Sequence, residues 1–234
     1  MVTQDVRRAV PAHSVTRATG WVRDPRLPGT LLFIQAAQFM TVIMLAASMA
    51  PAYDFGSGAI SDLGVIGETA TLFNISLFVT GLLNLAAGSL LYIERRSRWL
   101  LGIYVAAGVG AIGAGLVPLD SGDAHSLFAL AAFLFFNVEA IASSRLVSGP
   151  MAAISVLAGV VGLTFVAIMV IGDAGEPGVF GPIGHGGAER MIVYPVMLWL
   201  LAFGGYLMGR ETDVPAGAAE PGDSKAIGTP PVTW

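Results

Sequence analysis

The chain contains no cysteine, so no disulfide framework holds it together. Charge is scarce as well. The 12 Lys and Arg and 16 Asp and Glu make up 12% of 234 residues, against the ~25% usual in a soluble domain. So few charges cannot cover the surface of a soluble protein of this size. The net charge of −4 provides no basic excess to hold a phosphate backbone, which excludes nucleic acid as a partner. No P-loop, dinucleotide fingerprint, HExxH zinc motif or nucleophile elbow occurs. The two halves of the chain show no inverted repeat of the kind found in many transporters.

What is present is apolar: 55% of the residues are hydrophobic and the mean hydropathy is +0.74. A bilayer core needs roughly 20 apolar residues in a helix. Six stretches qualify, at about 30–50, 69–92, 98–118, 125–143, 151–172 and 188–208. Pro51, Pro118 and Pro150 fall at or beside segment ends, where a proline breaks no internal hydrogen bond. The expected fold is therefore all-α, a polytopic membrane protein with a six-transmembrane-helix bundle over 30–208. A polar, Arg-rich segment (1–29) precedes the bundle. A tail (209–234) with Pro215, Pro221, Pro230 and Pro231 follows it and is expected to be disordered.

Orientation follows from the basic residues. Arg7, Arg8, Arg17, Arg23 and Arg26 precede the first span. Arg95, Arg96 and Arg98 lie in the second connection, Arg145 in the fourth, and Arg210 and Lys225 in the tail. Arg190 is the one basic residue on the opposite side. Both termini are thus expected in the cytoplasm. Ala47-Ser48-Met49-Ala50 has the form of a signal-peptidase site. The 29 residues before the first span and the amides Gln35 and Gln38 within it favour a retained span.

The connections on the Arg190 side hold eight acids: Asp54, Asp62, Glu68, Asp120, Asp123, Asp173, Glu176 and Glu189. His125 and His185 are there too. Three segments stand out because each leads into an inward-running helix. They are Ser61-Asp62-Leu63-Gly64, Pro118-Leu119-Asp120 through Asp123 and His125, and His185 through Glu189-Arg190. An acid at a helix start is favoured by free N–H groups and the dipole, so capping accounts for any one of them, and Ser121 or Asp123 is the expected cap of the fourth span. Convergence would instead make a site, with Asp62, Asp120, His125 and Glu189 as acid/base groups and Ser61, Asn74 and Arg190 as substrate-binding groups. Arg190 opens a membrane helix, where an unpaired guanidinium at depth costs about 2.5–3.5 kcal/mol, so a carboxylate partner, Asp62 or Asp120, is expected. The same arginine could clamp an anionic head group. His185 and Glu189 are spaced i, i+4. With His125 they admit a divalent metal such as zinc, although the glycines at 186 and 187 weaken the helix there.

Inside the spans, His125, Ala129, Ala132, Phe136 and Glu139 share one face, and Glu139 lies about 21 Å along the helix from His125. Its expected partner is Arg96 or Arg98. Asn74, Leu77, Gly81, Asn84 and Gly88 form a polar and small stripe of the kind that makes interhelical hydrogen bonds, as do Gln35 and Gln38. Gly102, Ala106, Gly110 and Ala114 give the third span a small residue at every fourth position. That face permits close packing within the monomer or a homo-oligomer.

Taken together, Ser61-Asp62-Leu63-Gly64, Asn74, Gly81, Pro118-Leu119-Asp120, His125 and Glu189-Arg190 resemble the bacterial and archaeal membrane family catalogued as domain of unknown function 998. Val117 replaces the aromatic expected before Pro118. The resemblance covers about 30–208 and implies a six-helix protein of the bacterial cytoplasmic (inner) membrane, with no reaction attached. A Ser-Asp pair with histidines at one membrane face is also similar to alkaline ceramidases and related transmembrane hydrolases. The chain departs from those in having six spans and in having Glu189 where a second histidine would be needed. Three functions remain in view: an enzyme or binder acting on a lipid or isoprenoid head group, with membrane lipids as partners; a small proton-coupled carrier using His125 and Glu139; and a structural subunit whose polar cluster is a lock.

Overall fold

The computed structural model describes residues 24–209. Most of the Arg-rich segment and nearly all of the tail expected to be disordered lie outside the described residues. Six α-helices follow one another: α1 (Leu27–Met49), α2 (Ala70–Arg95), α3 (Arg98–Leu116), α4 (Asp123–Ser143), α5 (Pro150–Asp173) and α6 (Gly184–Met208). All six are long and apolar enough to cross a membrane, and the described residues contain no strand. The largest departure from the sequence reading is at α6, which begins at Gly184 and runs straight through Gly186 and Gly187.

The chain is a helical membrane protein, and its surface shows it. Met44, Leu127 and Leu157 are 64, 68 and 63% exposed. In water such residues would collapse inward; in a bilayer they face acyl chains at no cost. The buried stripe of α1 (Leu32, Gln35, Ala36, Phe39, Ile43, Ala46) instead follows the 3- and 4-residue spacing of one helix face.

Each helix packs on the next in the chain, and α6 closes the ring against α1. Close approach is set by small residues. A Cβ at Gly108 of α3 would come within 2.9 Å of the Gly81 carbonyl oxygen of α2. Gly110 lies equally close to the backbone of Ala132 on α4. Gly110 and Ala114 are therefore buried inside the monomer, whereas Gly102 has open space around it.

Polar ties hold the helices in register. Gln38 Nε2 donates to Thr80 Oγ1 at 2.7 Å and Ser76 Oγ donates to Gln38 Oε1 at 2.7 Å, joining α1 to α2. Trp199 Nε1 donates to Ser155 Oγ at 2.8 Å, joining α6 to α5. Two sequence expectations are corrected. Glu139 does not pair with Arg96 or Arg98, because both arginines are exposed and Glu139 is fully buried. Its Oε2 accepts from Asn84 Nδ2 at 2.8 Å instead. Neither Ser121 nor Asp123 caps α4. The N-cap is Gly122, whose carbonyl accepts from the His125 and Ser126 N–H groups, while Asp123 occupies the first turn.

Candidate functional site

The site lies at the end of the bundle that carries the 50–69, 117–122 and 174–183 connections. Its scaffold begins with the loop after α1. Asp54 accepts hydrogen bonds from the Ser57 hydroxyl (2.6 Å), the Ser57 N–H (3.0 Å) and the Gly56 N–H (3.3 Å). These bonds hold its carboxyl below the ordinary carboxylate range and fold the loop back on itself, as Asp does in turns. The Gly56 carbonyl, presented by that fold, accepts from the Gly186 N–H at 2.9 Å. A side chain at 186 would run into the Gly58 carbonyl, so only glycine lets the first turn of α6 lie on this loop.

Arg190 fastens the contact. One guanidinium nitrogen donates to the carbonyls of Phe55 (2.9 Å), Gly58 (3.0 Å) and Gly186 (2.7 Å). The other donates to the Tyr53 hydroxyl at 2.7 Å. The cation also lies over the rings of Phe55 and Tyr53, at 4.8 and 5.6 Å from their centroids. Burial pushes the Tyr53 phenol above its usual pKa, so it stays protonated and donates to the Ala59 carbonyl at 2.6 Å. The expected partnership of Arg190 with Asp62 or Asp120 is not formed. Carbonyl oxygens carry enough partial charge to hold a guanidinium, and here the loop supplies those of Phe55 and Gly58 and the first turn of α6 that of Gly186, while Arg190 Nε is left without a partner.

Next to this clasp is a cavity of about 50 Å³, room for several water-sized groups. Its body is apolar, with Phe39, Phe73, Phe133, Phe136 and Met197 among its walls. Ser61, His125 and Glu189 line it as well, contributed by three different segments of the chain. Glu189 is almost fully buried, accepts from the Ile60 N–H and lies against the Ser61 N–H. It therefore closes the start of the 3-10 turn Ser61–Gly64 from a neighbouring helix. His125 Nδ1 is 2.7 Å from the Val117 carbonyl oxygen. A carbonyl can only accept, so Nδ1 carries a hydrogen, which leaves Nε2 as the ring nitrogen that a ligand could meet.

The other expected site residues lie elsewhere. Asp62 Oδ2 accepts from the Ala59 N–H at 2.8 Å and shapes its own turn. Asn74 Nδ2 donates to the Gly64 carbonyl at 2.9 Å, tying that turn to α2. Asp120 is exposed in the 3-10 turn Leu119–Ser121. His185 turns its Nε2 to Asp173 Oδ1 at 3.2 Å, with its ring edge-on to Phe180. It lines a separate open groove with Asp54 and Ser57. His125 and His185 thus face different spaces. Among the described residues no three His, Asp or Glu side chains gather closely enough to hold a metal. The zinc arrangement does not fit these residues.

Several participants escaped the sequence reading. Tyr53 and Phe55, which cradle Arg190, carry only the weak signal of two aromatics in a polar loop. Asn137 and Thr80 also line the cavity. Each is a polar residue inside an apolar span, a signal that was legible but could not be assigned to the cavity without knowing the rotation of the helices.

In comparison with known proteins, the family model described as "Protein of unknown function (DUF998)" matches residues 33–206. No curated protein and no solved structure matches the chain.

Proposed function

The chain belongs to the DUF998 family, and we propose that it binds one end of an amphipathic lipid- or isoprenoid-type molecule in the cavity bounded by Ser61, His125 and Glu189. The observation that carries this reading is the cavity itself. It brings Glu189, His125 and Ser61, from three segments of the chain, to the edge of a mainly apolar chamber with phenylalanine walls. A volume of about 50 Å³ admits a head group or chain terminus and leaves the rest of the molecule in the bilayer.

The charge of the site narrows the ligand. No Lys or Arg lines the cavity, and Arg190 directs its terminal nitrogens to three carbonyls and a phenol. A phosphate or carboxylate would meet the acceptor oxygens of the Glu189 carboxyl, with no cation in the cavity lining to offset its charge. The polar end is therefore neutral or proton-donating, such as a hydroxyl or amine, with His125 Nε2 as proton acceptor. On this reading Arg190 holds the loop to α6, in place of the anion clamp that the sequence suggested.

The protein purified in mild detergent should be stabilised in thermal melts by an isoprenoid or fatty alcohol and left unchanged by the matching phosphate. Ala129 is half-buried and lines the cavity one turn from His125. Ala129→Phe should abolish the alcohol effect while melting near the wild type. Equal stabilisation by alcohol and phosphate, or an Ala129→Phe variant that still responds, would refute the reading.

The arginine distribution supports placing this end of the bundle outside the cytoplasm. The chain lacks cysteine, so single substitutions report its topology. Glu68→Cys should react with an impermeant maleimide on intact cells, and Ser148→Cys only after permeabilisation. The reverse pattern would invert the assignment.

A further inference from the structure

Deep in the bundle, apart from the cavity residues named above, lies a second polar group. Glu139 of α4 is completely buried. Its Oε2 accepts from Asn84 Nδ2 at 2.8 Å, and the same Asn84 accepts through Oδ1 from Gln35 Nε2 at 3.2 Å. The second hydrogen of Asn84 Nδ2 goes to the Tyr104 carbonyl at 3.1 Å. Glu139 and Gln35 therefore flank one amide from opposite sides. Each is left with a buried oxygen that has no donor, Glu139 Oε1 and Gln35 Oε1.

No cation among the described residues pairs with this carboxyl. Among the described residues Arg26, Arg95, Arg96, Arg98 and Arg145 are exposed. Arg190 is held by the loop carbonyls, His125 by Val117 and His185 by Asp173. The groups around Glu139 are Asn84 from α2 and Tyr104 from α3, with Gln35 from α1 bonded to the far side of Asn84. The Tyr104 hydroxyl is paired with Ser143 at 3.0 Å. On α5 and α6, Ser155 and Trp199 are bonded to each other. A bare carboxylate in these surroundings would be an isolated charge in the membrane interior, which proteins avoid by neutralising the group. One hydrogen on Oε1 removes that charge and makes this oxygen a donor where it now stands as a buried acceptor with no partner.

We propose that Glu139, with Asn84 and Gln35, forms a proton-binding site in the middle of the bundle, in which the carboxyl is held as the acid. The ligand is a proton. The site is independent of the head-group reading, since none of its three residues lines the cavity.

The test is infrared spectroscopy of the full chain in detergent or nanodiscs near neutral pH. The expected result is a protonated-carboxyl C=O band that shifts on deuteration and is missing from the spectrum of Glu139→Gln. Glutamine keeps an acceptor for Asn84 and carries no charge, so Glu139→Gln should melt like the wild type, whereas Glu139→Ala should melt lower. A wild-type spectrum with no protonated-carboxyl band would overturn the proposal. So would a Glu139→Gln variant that loses a carboxylate band instead. Should Glu139→Gln not fold, labelling of the wild type by a hydrophobic carbodiimide decides, because that reagent attacks the protonated acid. An adduct mapped to the Glu139 peptide supports the site and its absence opposes it. Melting of Ala129→Phe with and without the alcohol tests the cavity separately.

Discussion

Arg190→Ala is expected to lower unfolding stability by about 3 kcal/mol, among the largest losses available from one substitution in this chain. Hydrogen bonds to a charged group contribute about 1.5–3 kcal/mol each, and Arg190 makes four, three to carbonyls and one to the Tyr53 hydroxyl. Part of the loss is recovered because the loop is half-exposed and water can reach the abandoned carbonyls. The rest is not, since the buried guanidinium also packs on Tyr53 and Phe55, and that contact is lost with it. Arg190→Lys should restore only part of the stability: a compact ammonium has neither the planar fork nor the stacking surface that lies between Tyr53 and Phe55. Arg145→Ala is the control. That arginine is exposed and lies over Trp99 at 5.1 Å from the ring centroid, and its removal should change stability by about 0.5–1 kcal/mol. Thermal or denaturant unfolding in one detergent measures all three. A wild-type melting curve for Arg190→Ala would mean that the clasp contributes nothing.

Glu189→Ala should cost about 2 kcal/mol, because it strands the Ile60 N–H and its neighbour at Ser61 in a buried corner, at about 1–3 kcal/mol for each unsatisfied group. Glu189→Gln separates structure from function. The glutamine carbonyl can still accept from Ile60, so the fold should hold. One carboxyl oxygen becomes an amide NH2 group, and with it goes the acceptor that a proton-donating head group would use. The expected outcome is a Glu189→Gln protein that melts within the range of the wild type and no longer responds to the alcohol. If it responds as the wild type does, Glu189 is a cap for the Ser61–Gly64 turn and the head group is held by His125 and Ser61 alone. Measuring the melt with and without ligand on both variants distinguishes these cases.

Much of the site was written in the chain, though not as a site. Ser61, His125 and Glu189 stood out because polar groups at the ends of apolar spans are few. Asp62 and Asp120 stood out for the same reason and were indistinguishable from them by type or spacing. What separates them is direction. The Asp62 carboxylate turns back to Ala59 and Asp120 points to solvent, while Glu189 reaches across to Ile60 on a segment 129 residues away in sequence. Likewise His185 and Glu189 sit one turn apart on α6, yet the first meets Asp173 and the second the turn at Ile60.

Composition and period alone settled the class of this protein and its six spans. Burying apolar side chains and satisfying the backbone in lipid is a local requirement, met by each segment of about 20 residues on its own. Which oxygen Arg190 would find, that Glu139 would meet an amide in place of an arginine, and which of the acids would line a cavity were decided only when the helices packed. Those outcomes depend on the rotation of each helix about its axis and on the path of one loop. Both are set by contacts between distant segments, such as Gly186 on Gly58 and Gly81 on Gly108, and not by the residues that carry the chemistry.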